Sequence, residues 1–340
     1  MSLLTAAALS MAALRAELWR REQAGLGRHR RLARIDDTTL RLELERRGAR
    51  FEQAAWFPPN DDRKDPLCTA GLPVPLFDHA RRCCYLIAAS AVRRVAGGRV
   101  QLNHLHYGTA NSLCPGEPFW CQPSVVERHG EYVGAFGYSG YLLSPRHILT
   151  CWHGWEHFSH DTQVAIFDYQ ARSPCDNPTQ LPGRCVYPLK LYPWATAASG
   201  GNGGPGAGDW VVLELEHAVD HMPAGKMPMI AAAVPGRPVY TLGFPSGLPL
   251  KLADGATILS ADSAALRCDL DTFTGNSGSP VFDAINHSLL GIVVQGQKDE
   301  GDFEPAARAG CYVGNRIDSR ITGQLAVPAT RFAAALSRIR

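Results

Sequence analysis

The feature that most limits the fold is a train of short apolar segments in the later two-thirds of the chain. Tyr138 to Leu143, Val164 to Phe167, Val211 to Leu215, Val239 to Leu242, Gly278 to Phe282 and Leu289 to Val294 are each only a few residues long. Val, Ile, Leu, Phe and Tyr dominate them, and Gly or Pro bounds most of them. Segments this short cannot wind a helix with a useful apolar stripe, which takes about 10–12 residues. Short apolar runs recurring between turn residues are the pattern of an all-β barrel or sandwich.

Before about residue 131 the texture differs. Residues 2–24 are rich in Leu, Ala and Met with few β-branched residues, as in a helix. Leu3 to Leu14 resembles a secretory core region in length. It has no positive charge ahead of it and runs into Arg15, Glu17, Arg20 and Arg21 without a small-residue cleavage site. It is therefore expected to be an amphipathic helix, which favours a cytoplasmic location, with secretion as the alternative. Leu40, Leu42 and Leu44 alternate with charged residues and suit a short strand, although Asp37 and Gly48 would also cap a helix. Trp56 to Pro66 has linker composition, residues 77–97 suit a helix, and 107–130 suit irregular surface chain.

Composition excludes several classes. Hydrophobic residues make up 45% of the 340 and charged residues 19%, enough for a sizeable core. No run of ~18 uncharged apolar residues exists, so no transmembrane segment is expected. A net charge of +2 leaves no footprint for nucleic acid. Residues 1–50 hold eleven Arg against six acids, so they carry +5 and the remainder −3. That stretch is expected to be a solvated helical face, or else a docking surface for a protein partner, a regulator or a membrane. The ten cysteines form no CxxC pair. Cys114 with Cys121, and Cys175 with Cys185, could each close a loop, while buried thiols account for them equally well. No cofactor is expected: the Gly-rich run 198–208 lacks the Lys-Ser/Thr of a phosphate cradle and leads into a strand.

Three short motifs carry chemistry. In Thr274-Gly275-Asn276-Ser277-Gly278-Ser279-Pro280, glycines flank a serine and allow a sharp turn that exposes its hydroxyl. The N–H groups of Gly275 and Ser277 could then point at one spot and hold an oxyanion. In Ile148 to Gly154, an apolar run delivers His153 to its end. In Gly208-Asp209-Trp210-Val211-Val212-Leu213, Asp209 opens a buried strand, where a carboxylate is costly without a hydrogen bond that an imidazole could donate. Each motif alone has an ordinary structural explanation. They occur in the order His, Asp, Ser, with 56 and 68 residues between successive members.

"LTCWHG", "GDWVVLEL" and "GNSGSPVFD", in that order, resemble the trypsin-like (chymotrypsin-fold) serine peptidases, nearest the bacterial glutamyl-endopeptidase-like branch. The resemblance covers about residues 131–335. It implies a mostly β chain of two antiparallel barrels behind a partly helical N-terminal extension. The corresponding domains are an extension over 1–115 and a peptidase domain over 116–340, with barrels at about 116–225 and 226–335. It implies a serine endopeptidase acting on protein or peptide, with Ser277 as nucleophile, His153 as base and Asp209 orienting the base. Asp271, six residues before Ser277, would sit at the base of the primary specificity pocket and pair with a substrate Arg or Lys. Residues 291–296 would form the pocket edge, with Gln295 and Gly296 contacting substrate. Asn276 stands where peptidases activated by an N-terminal cut carry Asp, so that switch is expected to be missing. Val294 replaces a Ser that often supports the catalytic Asp. Asn60 to Lys64 resembles the lead-in to mature domains of the bacterial branch, which makes Arg63 or Lys64 a candidate self-cleavage point.

Two other readings compete. A trypsin-like fold can serve as a catalytically silent binding module. His153, Glu156 and His157 also match H-x-x-E-H, an inverted zinc-peptidase pattern. That pattern requires a longer helix, and the chain entering it reads as a strand.

Overall fold

The computed structural model describes residues 63–69, 71–106, 131–133, 137–158, 162–172, 178–196, 208–220, 227–295, 303–305, 312–314 and 324–339. The expectations for 2–24, 40–45, 107–130 and the Gly-rich run up to residue 207 lie outside them. The described chain opens with β1 (Arg63–Lys64), α1 (Val74–Arg82) and β2 (Cys83–Ala88). There follow β3 (Gly137–Ser144), β4 (His147–Thr150), α2 (Trp152–His157), β5 (Gln163–Ile166), β6 (Val186–Pro188), β7 (Ala195–Thr196) and β8 (Val211–Glu214). The later part contains β9 (Pro238–Gly243), β10 (Lys251–Ala261), β11 (Leu266–Cys268), β12 (Pro280–Asp283), β13 (Leu289–Gln295) and β14 (Gln324–Pro328).

The architecture is mostly β and antiparallel; beside three small sheets of two or three strands, the described residues form two seven-stranded sheets. One has the order β6-β5-β2-β3-β4-β8-β7 and curls without closing. The other has the order β1-β10-β9-β12-β13-β14-β11, and a further pairing of β10 with β11 closes six of its strands into a barrel. β10 can serve both ends of that barrel because it is long: its first half pairs with β9 and its second half with β11, with register shifts in both ladders. The short apolar runs behave as expected. Ile148, Leu149, Val211, Val212, Leu213, Val281, Phe282, Leu289 and Ile292 are all fully buried.

The sheets meet along an aromatic seam. Phe244 at the end of β9 packs on Tyr85 of β2 and stacks on Tyr169, with ring centroids 5.3 and 5.9 Å apart. Tyr141 of β3 meets Phe282 of β12 edge-on at 5.4 Å. Each ring buries a large apolar area, so the seam fixes one sheet against the other.

Two expectations change here. The helix proposed over 77–97 runs only over Val74–Arg82, and the chain then turns directly into a strand. Cys83 to Ile87 are buried without interruption, because β2 lies between β3 and β5 in the middle of the open sheet. The compact unit that contains β2 spans residues 60–340. Part of the expected linker is also structural, since Arg63 and Lys64 pair with Ala253 and Leu252 as the outermost strand of the second sheet. Cys185 is a free, buried thiol, and Cys175 lies outside the described residues; Cys83, Cys84, Cys151 and Cys268 are likewise buried thiols. Among the described residues no helix is long and apolar enough to cross a membrane.

Candidate active site

Strand register brings His153 and Asp209 together. β4 and β8 pair antiparallel, with Thr150 opposite Val211 and Leu149 opposite Val212. Asp209 enters β8 two residues before Val211, and His153 leaves β4 three residues after Thr150, so both lie at the same end of the same pair. Asp209 is 1% exposed. Its Oδ1 accepts the backbone N–H of His153 at 2.9 Å, and its Oδ2 accepts the Nδ1 proton at 2.7 Å. The cost of burying the carboxylate is thus offset by two hydrogen bonds from one residue. The imidazole stays 38% exposed. Burial disfavours the imidazolium. The hydrogen bond with Asp209 and the nearby Cys151 outweigh it and hold the His153 pKa above its ordinary value.

Ser277 sits in a turn set by two glycines in left-handed conformations, Gly275 at φ +96° and Gly278 at φ +87°. Gly278 is required for a second reason. A Cβ there would strike Ser139 O and Thr150 Oγ1 and come within 3.2 Å of Cys151 N. The serine turn thus rests on the residues that lead into His153. No hydrogen bond joins Ser277 to His153 or Asp209 among the described residues. Gly278 instead packs on Thr150 and Cys151, which lie three and two residues before His153.

The amides of the turn divide into two kinds. Asn276 N–H donates to Phe273 O at 3.0 Å, and Gly278 N–H donates to Val293 O at 2.7 Å. Those of Gly275 and Ser277 donate no hydrogen bond among the described residues. Two undonated amides flanking a serine are the arrangement that can hold an oxyanion.

Ser139 is a contact of the serine turn that the sequence did not reveal. Its Oγ donates to Gly275 O at 2.8 Å and accepts Phe244 N–H at 3.1 Å, and its backbone N–H donates to Ser277 O at 2.8 Å. It fastens the serine turn to the first sheet from within β3. The only signal was a polar residue between Tyr138 and Tyr141 in a buried run. Gly243 is another missed residue, since a Cβ there would strike Ser279 Oγ and Asn276 Oδ1. Asn276 itself accepts the Ser279 hydroxyl at 3.3 Å.

The expected specificity residues fare differently. Asp271 faces Arg63, with Nε 3.9 Å from Oδ2. Arg63 is 1% exposed and its guanidinium lies 4.1 Å above the Phe273 ring. A residue so buried does not present itself for self-cleavage. Gln295 ends β13 half-buried, Val294 beside it is buried, and Gly296 lies outside the described residues. His153, Glu156 and His157 share α2, which is only six residues long. Among the described residues no group of three or more His, Cys, Asp or Glu forms a candidate metal cluster.

Residues 138–292 match the family described as trypsin-like peptidase domain, a span that includes His153, Asp209 and Ser277. No curated protein matches the chain. Among solved structures, the active form of the Rv3671c protease from M. tuberculosis is 14% identical, with 84% of this chain and 94% of that chain covered and a TM-score of 0.40. An inactive serine-to-alanine form of the same protein is 11% identical over 78% of this chain and 93% of that one, with a TM-score of 0.42. A Glu endopeptidase in complex with MPD is 14% identical over 82% of this chain and 99% of that one, with a TM-score of 0.46. The stretch 138–292 is thus similar to the trypsin-like peptidase domain family, and the antiparallel double-sheet architecture is consistent with that fold.

Proposed function

We propose that this chain is a serine endopeptidase that hydrolyses protein or peptide substrates through an acyl-enzyme on Ser277. The observation that carries the reading is the Asp209–His153 pair, 2.7 Å apart, beside a serine turn whose Gly275 and Ser277 amides are undonated. In the acylation step His153 Nε2 takes the Ser277 proton as Oγ bonds to the scissile carbonyl carbon. The carbonyl oxygen becomes an oxyanion between the N–H groups of Gly275 and Ser277. His153 then protonates the leaving amine as the C–N bond breaks. Water, deprotonated by His153, hydrolyses the ester and returns the proton to Ser277. Asp209 fixes the tautomer of His153 and stabilises its charged form throughout.

The preference for Arg or Lys expected from Asp271 needs that carboxylate to face substrate. Arg63 at 3.9 Å supports a different reading, in which the charge is matched inside the protein. The test of the endopeptidase reading is covalent labelling by a fluorophosphonate, with the adduct mapped by mass spectrometry. Wild type is expected to carry the adduct on Ser277 and to cleave a denatured protein internally, and Ser277→Ala to do neither. Proteolysis that persists in Ser277→Ala would overturn the assignment.

A further inference from the structure

Three consecutive charged residues, Arg63, Lys64 and Asp65, each meet an opposite charge on the second sheet. Arg63 faces Asp271 at 3.9 Å, Lys64 reaches Asp254 at 2.9 Å, and Asp65 accepts from Lys251 at 2.6 Å. Arg63, Asp65 and Lys251 are 1%, 1% and 4% exposed. Three ion pairs in a row, one buried on both sides and one with its arginine buried, are not the contacts of a linker that happens to lie on a surface. Burying an arginine is costly unless its charge is matched. Its flat guanidinium also suits a site that offers a carboxylate and an aromatic face together.

That site is the loop leading to the nucleophile. Asp271 and Phe273 lie in it, Phe273 O accepts the N–H of Asn276, and Asn276 precedes Ser277. The loop is pinned on its other side by Ser246 N–H donating to Thr274 O at 2.5 Å. A continuous set of contacts therefore runs from Arg63 through Phe273 to the residue next to the serine.

We propose that Arg63 is the internal counter-ion of Asp271 and a positioning residue for the loop that carries Ser277. It rests on the reading of Ser277 as nucleophile. On this account Asp271 holds the protein's own arginine, and the peptidase does not select Arg or Lys ahead of the scissile bond. Removing the arginine exposes the negative charge of Asp271 and creates a preference for basic residues that the native protein lacks. The docked strap also gives the loop a fixed cation without a newly cut chain terminus.

The experiment uses the full chain and four variants: Arg63→Met, Arg63→Lys, Asp271→Asn and the double Arg63→Met/Asp271→Asn. Each is assayed for the rate of fluorophosphonate labelling at Ser277, for kcat and KM separately, and for cleavage preference across a peptide library. Either neutralisation alone is expected to lower kcat at least about tenfold with a smaller change in KM, because each removes one member of the ion pair that holds the loop. Arg63→Met is expected to gain at least about a tenfold preference for Arg or Lys, following the uncovered charge. Asp271→Asn is expected to keep the wild-type preference. The double variant should lose the gained preference and show a smaller kcat loss than the two singles predict together. Arg63→Lys should keep the wild-type preference, since the charge remains. If Arg63→Met fails to fold, Arg63→Lys and the double variant decide. A wild-type preference for Arg or Lys that Asp271→Asn abolishes would overturn the proposal, as would single effects that simply add in the double variant. Wild type that labels normally at Ser277 alongside such a result confines the failure to Arg63. Wild type that fails to label at Ser277 removes the nucleophile assignment and this proposal with it.

Discussion

Asp209 holds His153 at two points, accepting its backbone N–H at 2.9 Å through Oδ1 and its Nδ1 proton at 2.7 Å through Oδ2. The first contact holds the backbone at the start of α2, and the second occupies Nδ1, which leaves Nε2 as the base in the proposed mechanism. Asp209→Asn retains the shape and loses the charge. Turnover is expected to fall by about 10⁴-fold, because an amide can stabilise the wrong tautomer and cannot stabilise the imidazolium.

The same pair sets a pH signature. A general base must be neutral, so activity rises as pH rises through the His153 pKa. Asp209 holds that pKa above its ordinary value against the effect of burial. Taking the charge away removes the contribution of Asp209, leaves Cys151 alone to oppose burial, and lowers the pKa. The acidic limb of kcat/KM is therefore expected at lower pH in Asp209→Asn than in wild type. The pH profiles of the two proteins, measured on one peptide, check this; a limb that stays in place or moves up contradicts it.

Gly278→Ala tests the packing that joins the serine turn to the histidine. The new methyl would enter the space of Ser139 O and Thr150 Oγ1, at a φ of +87° that an alanine resists. The backbone must move and carry Ser277 with it. A displacement of about 1 Å costs on the order of 10²-fold in rate. The expected result is a loss of that size in kcat and in fluorophosphonate labelling, with circular dichroism unchanged. Wild-type labelling in this variant would show that the close approach of Gly278 is not what seats the serine.

The strap before α1 makes a stability prediction. Lys251 and Asp65 are buried together at 2.6 Å. Lys251→Met leaves the Asp65 carboxylate buried without that cation and is expected to cost about 3–5 kcal/mol. Replacing both, as Lys251→Met/Asp65→Leu, should recover most of that, since an apolar pair needs no desolvation of charge. Urea midpoints of the three proteins decide it. A double variant no more stable than the single would show that the pair is not the origin of the loss.

What the sequence disclosed and what it hid have physical reasons. Strands such as β4 and β8 were legible because burial on both sides leaves a continuous apolar run, and that pattern is local. His153 and Asp209 were legible because each sits at the end of such a run, and antiparallel pairing then brings the two ends together. β2 was misread because no turn residue separates Arg82 from Cys83, so the arginines that end α1 seemed to continue its period into the strand. Ser139 was invisible because its partner Gly275 lies 136 residues away, and no local period encodes such a contact. Arg63 was concealed by the Pro and Asp around it, which signal a linker whether or not the charges find partners.

His79 provides the last prediction. It lies on α1 at the seam, where its ring stacks on Phe282 with centroids 4.0 Å apart and its Nδ1 shares a 2.6 Å hydrogen bond with the Tyr141 hydroxyl. Burial, and then the neighbouring His287, push its pKa from 6.5 down to about 4, with Arg82 acting the same way and Asp78 opposing. The unfolded chain binds a proton at this histidine below about pH 6.5, whereas the folded chain resists until about pH 4. Across that window the unfolded state holds more protons, so stability falls as the pH falls. At the bottom of the window the loss amounts to about 3 kcal/mol from this one residue. A glutamine keeps a polar group near Tyr141 and does not titrate. His79→Gln should therefore be less stable than wild type at pH 7.5, and the gap should narrow toward pH 4.5 as the wild type loses its advantage. Urea unfolding of both proteins at the two pH values measures the gap. A gap that stays constant across the window would show that His79 titrates alike in the folded and unfolded chains, and that the seam does not hold it neutral.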